Sequence, residues 1–142
     1  MGMRRVLIPV STNIDHRRVL SALRLLQWKE ADYTLLNIIE LPQSTATYDD
    51  VALKMIESHK KILEELSDYL KEYGYEAKVK VAVSRDIVSG IVEEVKNGGY
   101  SMVVLFRRPR GFWGRVGLKL FKSVSQRVLD DVSVPVLILP KE

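Results

Sequence analysis

Short apolar runs alternate with amphipathic stretches along the whole chain. Residues 4–10 read RRVLIPV, an apolar run whose end is marked by Pro9 and by the Ser11-Thr12-Asn13 cluster, which also signals a helix cap. From residue 15 to residue 27, Val19, Leu20, Leu23 and Leu26 recur at helical spacing, and Asp15 in the first turn suits the helix dipole. Residues 33–40, YTLLNIIE, are short enough to be a buried strand, and residues 41–47 read as a loop. A long helix is predicted over 49–73, with Leu53, Ile56, Leu63, Leu66 and Leu70 on one face and Gly74 as a left-handed cap. Residues 77–81, AKVKV, alternate with period two, which predicts a half-exposed strand near a sheet edge. Asp86 opens a third helix that Gly98 and Gly99 stop, residues 100–106 form a fourth strand, and a helix over 124–131 precedes a last strand from Val134 to Leu139.

Strands alternating with helices imply an α/β fold: a mainly parallel, five-stranded, doubly wound sheet with helices on both faces and right-handed crossovers. Nothing in the sequence marks a linker or a repeat, so its 142 residues are expected to form a single domain, 1–142. In such open sheets a ligand binds beyond the carboxyl ends of the strands, where strand order reverses. The loops after Val10 and after Phe106 are the places to search.

Composition narrows the chemistry. Cysteine is absent, which excludes disulfides, thiolate metal sites and cysteine catalysis. The two histidines, His16 and His59, fall on different predicted helices with no carboxylate pattern around them, so they read as surface residues rather than metal ligands. No G-x-S-x-G motif marks a nucleophile, and Ser11 reads as a capping or turn residue. Arg4 and Arg5 precede only a strand-like stretch, so no signal peptide is expected and a cytoplasmic location follows. Catalysis is not expected from these parts.

The net charge of +4 comes from one place. Residues 107–127 carry Arg107, Arg108, Arg110, Arg115, Lys119, Lys122 and Arg127 without a single acid, while the rest holds fifteen basic residues against eighteen acidic. Such a block favours an anionic partner: phosphate, nucleic acid or a membrane surface. Aromatic and aliphatic residues interleave with its cations over 111–122, which suits a membrane interface or single-stranded nucleic acid, while packing on the sheet with solvated cations is the plainer reading. The segment also follows a strand, contains glycines, and ends in Ser123-Val124-Ser125 at a helix start, where free N–H groups favour phosphate and the hydroxyls add hydrogen bonds. Simple helix capping by Ser123 or Ser125 is the alternative.

These residues carry a resemblance. RRVLIPVSTNIDHRRVLSAL, YTLLNIIE and above all SVSQRVLDDVSVPVLILP resemble the strands and helices of the universal stress protein family across essentially the whole chain. The resemblance implies strand order 3-2-1-4-5, a homodimer through the last strand, Val134–Leu139, and either ATP binding or a regulatory role without settled activity. The family's ATP binders carry G-2x-G-9x-G-(S/T) after the fourth strand. Gly111 matches the second glycine, and Ser123 and Ser125 match the hydroxyl positions, but Arg108 and Lys122 stand at the first and third glycines and the spacing is one residue longer. Ser11 replaces an aspartate that contacts the nucleoside in those proteins.

The resemblance with these departures implies a non-catalytic, homodimeric stress-response module that binds a partner or small ligand, with ATP binding in the usual mode weak or absent. An ATP-binding stress protein with a sensing or slow hydrolytic role is the alternative, and attachment to an anionic surface through residues 107–127 is a third. A bound nucleotide would place its base near Pro9, Val10 and Ile38 or Ile39 and its phosphates at Gly111, Ser123, Val124 and Ser125, with Arg108 and Lys122 either blocking or lining the pocket.

Overall fold

The computed structural model describes residues 4–41, 50–107 and 124–140. The elements run β1 (Arg5–Pro9), α1 (His16–Leu26), β2 (Asp32–Glu40), α2 (Asp50–Glu72), β3 (Ala77–Ser84), α3 (Ile87–Gly98), β4 (Met102–Phe106), α4 (Val124–Asp131) and β5 (Val136–Leu139). All paired strands are parallel, in the order β3-β2-β1-β4-β5. The predicted fold class and strand order are those observed.

Side chains of the central strands alternate between two cores because a strand has period two. Val6 and Ile8 of β1 and Val10 just after it join Tyr33, Leu35 and Val104 beneath α1 and α2. Leu7, Leu36, Val103 and Leu105 pack on the other face against Val88, Ile91 and Val95 of α3 and Val128 of α4. Both faces are covered, so these strands read as continuous apolar runs. β3 lies at one edge, as its alternating pattern predicts.

The structure departs from the sequence reading in one helix face and in several strand ends. Leu53 does not share the buried face of α2: it is 52% exposed, whereas Ala52, Leu63, Leu66 and Leu70 are buried. The inward stripe passes through residues 52, 56, 59, 63, 66 and 70, one position away from Leu53, with Ile56 and His59 half-buried. β5 begins at Val136 rather than Val134, because Ser133 and Val134 form a bend ahead of Pro135. β4 begins at Met102 rather than Tyr100, since the chain leaves α3 through Gly99 in a left-handed conformation (φ 65°). Gly74 ends α2 with φ 91°, a backbone that side chains other than glycine's strain to adopt.

The helix starts are built from carboxylates. Asp15, not the preceding cluster, is the N-cap of α1, and accepts the Arg17 N–H at 2.9 Å. Asp86 caps α3, taking the Ser89 N–H at 2.8 Å and the Ser89 hydroxyl at 2.9 Å, while Glu40 takes the Ile87 N–H at 2.9 Å. Hydrogen bonds from the Arg17 side chain and backbone hold the Asp15 carboxyl below its ordinary value of 3.8. The Ser89 N–H does the same for Asp86, against the opposing effect of its burial.

A carboxyl whose folded pKa is lowered contributes stability above its unfolded pKa, and loses it as pH falls through the folded one. Asp86→Ala is therefore expected to cost about 1 kcal/mol at neutral pH. The difference from wild type should shrink toward zero near and below about pH 3. Paired urea melts at the two pH values check this; a gap that does not close on acidification would mean that the cap's charge contributes nothing.

Candidate functional site

The sheet order reverses between β1 and β4, so their exits define the crevice. Parallel pairing brings Val6 opposite Met102 and Leu7 opposite Val103, which sets the two exits side by side. α4, returning from β4 to β5, begins at this same carboxyl edge, and the first-turn N–H groups that have no partner within the helix include those of Val124 and Ser125.

At the β1 side, Pro9 is half-buried and Val10 is 7% exposed. The Val10 N–H donates to the Leu36 carbonyl at 2.8 Å, and the Val10 carbonyl accepts from the Asn37 side-chain amide at 2.8 Å. The chain then turns. The Ser11 hydroxyl donates to Asn13 Oδ1 at 2.7 Å, and the Ser11 carbonyl accepts the Ile14 N–H at 3.3 Å. Ser11 thus serves the turn.

Ile38 and Ile39 point to opposite faces of β2. Ile38 packs on α3 at Gly90, where an added Cβ would come within 2.8 Å of Ile38 Cδ1; glycine is needed there for close approach. Ile39 is 3% exposed, on the side of α1 and α2. By the strand period of two, Ile39 falls on the face of Tyr33 and Leu35, which pack with Val10, and Ile38 on the other.

At the β4 side, the exposed Arg107 donates its N–H to the Leu139 carbonyl at 3.1 Å. Arg18 of α1 reaches over both strand ends. Its Nη2 donates to the carbonyls of Arg107 at 3.0 Å and Pro140 at 2.8 Å, and its guanidinium lies 5.1 Å from the Phe106 ring centroid. Arg18 ties the start of the basic segment to the end of β5. Arg108, Arg110, Gly111, Arg115, Lys119, Lys122 and Ser123 lie outside the described residues, as do the side chains of Val124 and Ser125.

Sequence reasoning missed Asn37 and Arg18, and it read His59 as a surface residue, whereas His59 is half-buried and bonded to Asn37. Asn37 left a readable signal: a polar residue inside the apolar run YTLLNIIE must find partners once buried. Arg18 left none, since its partners lie 89 and 122 positions away.

The chain belongs to the universal stress protein family, whose model matches residues 2–140. No curated protein matches the chain. Among solved structures it resembles a universal stress protein in complex with cAMP (18% identity, all of both chains covered, TM-score 0.69). It also resembles a universal stress protein from Archaeoglobus fulgidus in complex with dAMP (17% identity, 97% of this chain and 98% of that one, TM-score 0.60). A third is a family protein from Arabidopsis thaliana with AMP bound (16% identity, 98% and 92%, TM-score 0.63). At these identities the likeness is one of fold. Among the described residues, no helix is long and apolar enough to cross a membrane.

Proposed function

We propose that this protein is a non-catalytic, homodimeric stress-response module whose crevice binds an adenosine monophosphate in preference to ATP. The observation that carries the reading is the crevice itself: an apolar β1 exit at Val10 beside the β4 exit at Arg107, with the N-terminus of α4 at the same edge. Three proteins of this fold are named for complexes with cAMP, dAMP and AMP, which supports an adenine nucleotide as the ligand here.

The preference follows from the phosphate loop. Glycine lets backbone approach each phosphate closely, and Arg108 and Lys122 replace glycine at two positions where the ATP-binding relatives carry it. A triphosphate needs the whole loop. A single phosphate can be met by the first-turn N–H groups of α4, Val124 and Ser125 among them, with the neighbouring cations adding attraction. Among the described residues at the ends of β1 and β4 no nucleophile is paired with a base, and binding rather than turnover is the proposed role.

Calorimetric titration with AMP, cAMP and magnesium–ATP tests this. AMP should bind at least about tenfold more tightly than ATP, a difference of roughly 1.4 kcal/mol. An ATP dissociation constant near or below about 1 μM, with AMP weaker, would overturn the preference. Arg108→Gly with Lys122→Gly should then raise ATP affinity if the two cations block the triphosphate.

The proposed dimer pairs β5 with its two-fold mate. β5 is an edge strand made only of Val, Leu and Ile, with no charged residue to discourage pairing. Two-fold antiparallel pairing covers that edge with an identical one.

A further inference from the structure

We propose that Asn37 and His59 form a positioning relay: a chain of hydrogen bonds from α2 through β2 that holds the backbone where β1 ends, and that fixes His59 as its Nδ1–H tautomer. Asn37 is 6% exposed and stands in the middle of β2, facing α2. Its Nδ2 lies 2.8 Å from the Val10 carbonyl, and its Oδ1 lies 2.8 Å from His59 Nδ1.

The direction of every bond is forced. A peptide carbonyl only accepts, so the amide must turn its NH2 toward Val10. That leaves Oδ1 facing His59, and an amide oxygen only accepts as well. His59 Nδ1 must therefore carry a proton, and in the neutral ring Nε2 keeps the lone pair. A free histidine side chain in water favours the opposite tautomer, so the relay has a signature that ordinary packing does not produce.

The relay acts where β1 leaves the sheet. β1 ends at Pro9, and the Val10 carbonyl accepts from the Asn37 side chain of the neighbouring strand β2. Ser11, the next residue, begins the turn. The direction in which that turn departs is thus set by a side chain of β2 that α2 in turn orients. Asn37 and His59 are positioning residues: they act on the crevice through the backbone at Val10 and Ser11. The ligand part of the test rests on the crevice reading above; the tautomer and backbone parts do not.

Long-range proton–nitrogen NMR on the full chain above the ordinary imidazole range (about pH 8) reads the tautomer directly. Nδ1 should be protonated and Nε2 bare; a dominant Nε2–H form would end the proposal. The variants separate donor position from packing. In His59→Asn the side-chain amide nitrogen falls where Nδ1 was, whereas in His59→Gln it falls one bond further out. The Ser11 and Asn13 amide shifts should stay near wild type in His59→Asn and move in His59→Gln. AMP affinity should follow, within about threefold for the first and about tenfold weaker for the second, or roughly 1.4 kcal/mol. Equal amide shifts in the two variants would overturn the relay even with the expected tautomer. AMP binding to neither variant nor wild type would overturn the crevice reading alone, because the tautomer and amide shifts decide the relay without it.

Discussion

Ile138→Pro is expected to weaken the proposed dimer by roughly 30- to 1,000-fold while leaving the sheet in place, an effect of about 2–4 kcal/mol. The reason lies in which way β5 turns its backbone. The carbonyls of Pro135 and Leu139 accept from the N–H groups of Val103 and Arg107 at 3.0 and 3.1 Å. With period two, residues 135, 137 and 139 face β4, and Val136 and Ile138 turn both N–H and C=O outward.

A two-fold centred on Leu137 would set Val136 opposite Ile138 of the other copy, and each such pair exchanges two hydrogen bonds. Centring on Ile138 would bring in Pro140, which has no N–H and whose carbonyl already takes Arg18. Centring on Val136 would bring in Val134, which lies in a bend. Proline at 138 removes two of the four donors from the favoured register and none of those that face β4. Edge strands tolerate proline where the N–H faces outward. Beside the strand, Leu25 of α1 is 65% exposed and shares a groove with Ala22, Leu139 and Pro140, which a second copy paired on β5 would also meet. Sedimentation equilibrium of wild type and variant checks the prediction. An unchanged dissociation constant would move the assembly to another surface, and a wild type that is monomeric at tens of micromolar would remove it.

Leu66→Ala should destabilise the protein by about 2–5 kcal/mol, whereas Leu53→Ala should stay within about 0.5 kcal/mol. Both leucines lie on α2. Leu66 is 1% exposed and packs among Leu63, Leu70, Tyr33 and Leu35, so truncation opens a cavity in the larger core. Leu53 is 52% exposed and loses little. In thermal melts the first change should lower the midpoint by roughly 10 °C and the second by about 2 °C or less. Comparable losses would mean that the helix is rotated about its axis, with Leu53 facing the sheet.

These two leucines also mark how far local pattern reaches. The stripe of α2 was legible where it is strongest, at Leu63, Leu66 and Leu70. It failed near the start of the helix, where the smaller Ala52 takes the inward place beside a larger apolar neighbour. Capping survived better: Asp86, Gly74 and Gly99 act within a few residues of themselves, so their roles are written in adjacent sequence. The alternation of strands and helices, their parallel arrangement and the all-apolar last strand were likewise local facts summed along the chain. Strand order came from family resemblance, and family membership was legible in the same segments.

What decides the candidate site is of another kind. The Asn37–Val10 bond spans 27 positions, the His59–Asn37 bond 22, and the Arg18–Pro140 bond 122. Hydrophobic periodicity reports only which face of an element is buried, since burial is non-directional. A hydrogen bond needs its two atoms within about 3 Å and in line. So composition and pattern determined the sheet, its covering helices and the edge at which a ligand would enter. Only the folded backbone, by setting β2 against β1 and α1 across the ends of β4 and β5, could choose Asn37, His59 and Arg18 to shape that edge.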